Sequence, residues 1–150
     1  MKTLPSLAVL ALTVLPVVAQ DAPPTWKVVK SSGEGNCQML VPPDWPLGRV
    51  KGSAYQTESR AAAIVRKTRE NTWPEVVASA RQTYKPLRVI EETEARFWFE
   101  YAGSVKAPGA SWYVAARAGD AICFAQISFK ESRYQAEATR IAKSVAPAAR

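Results

Sequence analysis

The 150-residue chain carries 20 lysines and arginines against 13 aspartates and glutamates, a formal net charge of +7. It contains no histidine, which excludes histidine bases, Ser-His and Cys-His nucleophile pairs and imidazole metal ligands. The length suits one domain with a real core.

The N-terminus reads as a cleavable secretory signal over residues 1–19. Lys2 supplies the positive charge, residues 4–15 are mostly apolar, Pro16 breaks the segment, and Val17 and Ala19 occupy the −3 and −1 positions of a small-residue cleavage site. A membrane span needs ~20 apolar residues; this run is shorter and is interrupted by Pro5, Ser6 and Thr13. The expectation is an exported protein, in a bacterial periplasm or secreted, with no transmembrane segment in the mature chain. Cleavage before Gln20 takes 19 residues from 150, leaving 131, and removes Lys2, for a net charge of +6.

The two cysteines, Cys37 and Cys123, lie 86 positions apart. In an oxidising compartment an even count favours pairing, and two residues allow one connectivity. The alternative is two buried free thiols in neighbouring strands, since cysteine packs well as a small core residue. Neither sits in a Cys-x-x-Cys motif, which speaks against redox catalysis.

Residues 20–25 form a polar, proline-containing lead-in, expected to be disordered at its start. Residues 26–30 and 36–41 read as a hairpin around a turn at 31–35, with Cys37, Met39 and Val41 on one face. Pro42, Pro43 and Pro46 then stop the ladder, because proline lacks the donor. Residues 53–58 and 61–67 read as two more strands. Thr72 and Glu75 make a capping box with Pro74 in the first turn. Trp73, Val76, Val77, Ala80 and Tyr84 follow on one helical face, and Pro86 ends the helix.

Strands are predicted over 87–93, 96–101, 111–117 and 121–129. A loop spans 103–109, and a hairpin turn falls at Ala118, Gly119 and Asp120. Several of these strands are apolar on both faces, so the sheet is expected to be covered on both sides. Ser132 and Gln135 read as a second capping box, opening a helix with Tyr134, Ala138, Ile141 and Val145 on one face. Ala146 and Pro147 end it, leaving 147–150 as a loose tail. One domain is expected over 26–146, of α+β class.

Four features resemble PsbP-like domains and their bacterial relatives. These are the Val41-Pro42-Pro43-Asp44-Trp45 stop, the helix opening Thr72-Trp73-Pro74-Glu75, the run Asp120-Ala121-Ile122-Cys123-Phe124, and the closing Ile141-Ala142-Lys143-Ser144-Val145. The resemblance covers most of 26–146 and implies an antiparallel sheet sandwiched between helices. In plant members it implies an accessory role beside photosystem II. The plain export signal gives no ground for carrying that role to this chain, and the family supplies no catalytic motif to map onto it.

The residues leave three functional expectations. The first is a non-catalytic exported binding or accessory module with a protein partner in the cell envelope; no catalytic, cofactor or metal residues are assigned. The second is a carboxylate-dependent hydrolase acting on an exported polymer. Its candidates are Glu91, Glu92 and Glu94, with alternation placing Glu92 and Glu94 on one strand face and Glu91 on the other; a solvated strand edge or loop is the simpler account and is preferred. The third is a binder of anionic polymer or lipid headgroups through a basic face, drawing on Arg60, Arg66, Lys67 and Arg69 and on Arg81, Lys85 and Arg88. Arg81 and Lys85 also simply complement a helix C-terminus. Nucleic acid is not expected as a partner of an exported protein. Trp98, opposite in face to Phe97, Phe99 and Tyr101, is a candidate groove residue or a core residue. The candidate binding residues are thus Arg66, Lys67, Arg69 and Trp98.

Overall fold

The computed structural model describes residues 25–31, 37–48, 53–55, 62–67, 72–103 and 105–148, without the side chains of 53, 55 and 62–67. The expected signal peptide and most of the lead-in lie outside the described residues, as do the 32–36 turn, Arg60 and Arg69.

Among the described residues the chain forms two antiparallel sheets and two α-helices, an α+β class. The smaller sheet is built from β1 (Lys27–Lys30), β2 (Cys37–Val41) and β9 (Ala146–Pro147), in the order β1-β2-β9. The larger contains β3 (Ser53–Tyr55), β4 (Ala62–Lys67), β5 (Arg88–Glu92), β6 (Arg96–Tyr101), β7 (Ala110–Ala118) and β8 (Ala121–Phe129), in the order β3-β4-β8-β7-β6-β5. Helix α1 (Trp73–Tyr84) and helix α2 (Gln135–Ser144) complete the fold.

Both faces of the larger sheet are buried over β6, β7 and β8, as the doubly apolar strands require. Along β6 the alternation divides cleanly. Phe97 and Phe99 join Val76 and Ala80 of α1 in one cluster, with Tyr113, Ala115, Ile122 and Phe124. Trp98 joins the opposite cluster, with Cys37, Met39 and Val41 of β2, Trp112, and Ala138, Ile141 and Ala142 of α2. One face therefore carries α1, and the other carries α2 with the small sheet. The Cys37–Cys123 disulfide ties β2 to β8 across the second cluster, with the Cα atoms 5.7 Å apart.

The first capping box forms as the spacing predicts. The Glu75 N–H donates to Thr72 Oγ1, and the Thr72 N–H donates to Glu75 Oε2 at 3.0 Å. The second does not. No side chain caps α2; a 3-10 turn over Ser132–Tyr134 precedes it and places Tyr134 at its N-cap. The tail also differs from expectation, because Ala146 and Pro147 pair with Gln38 and Cys37 as β9. At the tight β7–β8 turn Gly119 has a φ of 58°, the left-handed conformation that a two-residue hairpin assigns to glycine.

Candidate functional site

The sequence candidates fall apart in space. Trp98 is 4 % exposed and lies edge-on to Trp112 with ring centroids 5.0 Å apart, so it fills core rather than lining a groove. Trp45, Trp98 and Trp112 all bury their indole N–H groups without a hydrogen-bond partner among the described residues. The backbone of Arg66 lies opposite Phe124 and that of Lys67 opposite Cys123, and their side chains are outside the description. Arg69 lies outside the described residues.

The carboxylates of β5 are occupied. A register shift between Val89 and Glu91 brings Glu91 opposite Trp98 and Glu92 opposite Phe97. The bulge moves Glu91 off the face of Val89 and onto the α2 side of the sheet, with Glu92 on the α1 side, so these two carboxylates lie on opposite faces as alternation expects. Glu92 Oε2 accepts from Arg81 Nη2 at 2.6 Å, and the same guanidinium lies over the Phe97 ring, 4.9 Å from its centroid. Glu91 faces Arg96 at 3.8 Å. Among the described residues no group of three or more His, Cys, Asp or Glu residues is placed to hold a metal ion.

Arg96 is structural. Its guanidinium donates to the carbonyls of Ala142 (2.8 Å), Lys143 (3.1 Å) and Val145 (3.4 Å) at the C-terminus of α2. Burial lowers its pKa from the usual arginine value, and Glu91 partly opposes the shift. The group still meets the negative end of the helix dipole as a cation.

A different region gathers functional chemistry, at the rim of the larger sheet where β5 and β7 begin and β6 and β8 end. Tyr101 lies opposite Ser111, and Ser111 opposite Ser128, which puts three hydroxyl-bearing residues in one row on the α1 face. In the next row Tyr113 stacks between Phe99 and Phe124, with interplanar angles of 20° to each. Tyr84, the last residue of α1, leans its ring on Tyr101 (5.0 Å) and Tyr113 (4.9 Å), and its hydroxyl accepts from Gln126 Nε2 at 2.9 Å. Tyr84 and Tyr101 are only half-buried. Burial, with Tyr84 adding to it, raises the Tyr101 phenol above the ordinary tyrosine value of 10.0.

Beside these tyrosines two large apolar side chains face solvent, Leu87 (66 % exposed) and Val89 (40 %). Leu87 N–H donates to the carbonyl of Glu100 at 2.8 Å, and Val89 lies opposite Phe99, which fixes both next to the end of β6. Lys85 holds the left-handed C-cap of α1, its N–H donating to Arg81. Lys106 sits in the β6–β7 loop, and its carbonyl accepts from Gly109 N–H. Lys130 follows β8, and a Cβ on Gly109 would lie 2.6 Å from its Cα. From β8 to β5 the rim crosses three inter-strand spacings, about 14 Å in all.

Charge on this rim is uneven. Its acids Glu100 and Glu131 are held by Arg88 at 3.1 Å and Arg133 at 2.9 Å. Lys85, Lys106 and Lys130 are exposed and form no ion pair among the described residues. The result is an apolar and tyrosine centre beside three lysines that form no ion pair among the described residues. Sequence reading missed it. Leu87 and Val89 were visible only as one phase of an alternating strand, and which strand ends the sheet is decided by pairing far along the chain.

The class these features define is an α+β domain with two cores, one of them crossed by a disulfide, and a rim that carries three exposed lysines. No family model matches the chain, and no curated protein matches its sequence. Among the described residues no helix is long and apolar enough to cross a membrane.

Proposed function

We propose that this protein is an exported, non-catalytic binding or accessory module of PsbP-like shape that holds a protein partner at the rim formed by Tyr84, Leu87, Val89 and Tyr101. The observation that carries this reading is the pair of exposed aliphatic side chains, Leu87 and Val89, set against half-buried tyrosines. Interfaces favour tyrosine, and adjoining exposed apolar side chains mark contact surfaces. Export is supported by the signal-like N-terminus and by the disulfide, a bond that persists in oxidising compartments.

The test is site-specific photocrosslinking in the native host. One crosslinker replaces Leu87, and a second replaces Asp120, at the β7–β8 turn on the opposite end of the sheet. The reading expects one protein captured from position 87 and absent from position 120, at several salt concentrations. Identical captures from both positions would overturn it. So would catalytic turnover that disappears in Glu92→Gln, since that outcome restores the carboxylate enzyme.

A further inference from the structure

Resting on that reading, we infer that the partner presents an extended acidic segment with aliphatic or aromatic side chains, which pairs along the open edge of β5 at Leu87 and Val89. Three observations converge on this chemistry. First, among the described residues β5 ends the larger sheet and pairs only with β6, so among them its outer backbone groups are available to another strand, the condition for recognition by strand addition. Second, the bulge between Val89 and Glu91 breaks a regular edge at mid-strand. It confines added pairing to the first half of β5, where Leu87 and Val89 are exposed, and it discourages open-ended pairing of β5 with copies of itself. Third, the acids on this rim are already paired with Arg88 and Arg133, while Lys85, Lys106 and Lys130 are unpaired among the described residues. The rim therefore complements carboxylates.

These features act together on one kind of partner. A polysaccharide or a lipid headgroup would engage the lysines but could not use the strand edge. A neutral apolar peptide would use the edge and leave the lysines idle. An extended segment that carries both carboxylate and apolar side chains uses both, with its apolar residues against Leu87 and Val89.

The test uses the mature, oxidised protein and a 12-residue peptide alternating aspartate with leucine, with polyaspartate, a sulfated polysaccharide and anionic phospholipid vesicles as comparators. The alternating peptide is expected to bind saturably and at least tenfold more tightly than polyaspartate. Leu87→Asp should weaken it at least tenfold. The Lys106→Glu and Lys130→Glu pair should weaken it several-fold and flatten its salt dependence, while the far-end change Asp120→Asn leaves it unchanged. Proline at Val89 should abolish binding by removing an edge N–H, and near-wild-type circular dichroism would show that variant folded.

Equal binding of polyaspartate, polysaccharide or vesicles, insensitive to Leu87→Asp, would overturn the inference and identify a general polyanion binder. No binding of the alternating peptide would overturn it too. If Leu87 photocrosslinking still captures one protein, the binding module stands and only the acidic-strand partner is lost; if it captures none, both fall.

Discussion

At the scale of single residues, two glycines show how different causes leave different signatures. A Cβ on Gly109 would lie 2.0 Å from the Phe129 carbonyl oxygen and 2.6 Å from Lys130 Cα, both backbone atoms that cannot rotate aside. A Cβ on Gly119 meets nothing within 4 Å, but its φ is 58°. Gly109→Ala must therefore push two strand ends apart, with an expected loss of about 3 kcal/mol, the upper part of the range for overpacking. Gly119→Ala meets only conformational strain and is expected to lose about 1 kcal/mol. Urea unfolding of the two variants checks the order; equal losses would mean the loop yields at Gly109. Tyr101 makes a residue-scale prediction in pH. Its phenol titrates above 10.0 in the fold, so just above that pH the folded chain keeps a proton that the unfolded chain has released. The folded state then binds more protons, and stability falls as pH rises. The contribution is intact below 10.0 and is lost as pH climbs through the folded value. Denaturant midpoints from about pH 9 to about pH 11 should decline less steeply in Tyr101→Phe than in the parent.

At the scale of elements, the two helices reach stability by different routes. Helix α1 caps itself through Thr72 and Glu75, while α2 has its last carbonyls gathered by Arg96 of β6, 46 to 49 positions earlier in the chain. Arg96→Met keeps the stem and removes the fork, leaving partly buried carbonyls without their charged donor. The expected loss is about 2–3 kcal/mol, with amide exchange accelerated first in residues 141–145. Arg96→Lys keeps the charge but cannot reach three carbonyls from one plane, and it should fall between. A loss spread evenly over all amides would contradict a local clamp. This contrast also marks what the sequence can disclose. The α1 cap is local, and Thr72-x-x-Glu75 spelled it out. The matching Ser132-x-x-Gln135 pattern misled, because the chain enters α2 through a 3-10 turn that moves the N-cap to Tyr134. The strand faces of β6, β7 and β8 were legible from alternation. The bulge in β5 was not, since Val89-Ile90-Glu91 alternates as an unbroken strand would. Nor was the rim: Leu87, Lys106 and Lys130 are scattered over 44 positions and meet only through the sheet order.

At the scale of the whole molecule, the disulfide is the covalent link between the small sheet and the large one, and it closes a loop of 86 positions. The small sheet is short, with β1 of four residues, β2 of five and β9 of two, too little ladder to hold itself without the cluster beneath it. Chain-entropy reasoning assigns a crosslink over such a loop about 4–5 kcal/mol. A domain of this size is typically stable by about 5–15 kcal/mol, so losing the bond removes about a quarter or more of the total. Both sulfurs are buried, so reductant should act slowly on the native protein and quickly once it opens. The expectation has three parts. Denatured, unreduced protein exposes no reactive thiol. Cys37→Ala with Cys123→Ala lowers the unfolding free energy by about 4–5 kcal/mol. The loss is seen first as accelerated amide exchange in 37–41, with the centre of β7 protected longest. Two titratable thiols in the unreduced protein would refute the bond. A double variant as stable as the parent would show instead that Met39, Val41 and the face of α2 hold the small sheet by packing alone, and that the sheets dock independently of the compartment in which the chain folds.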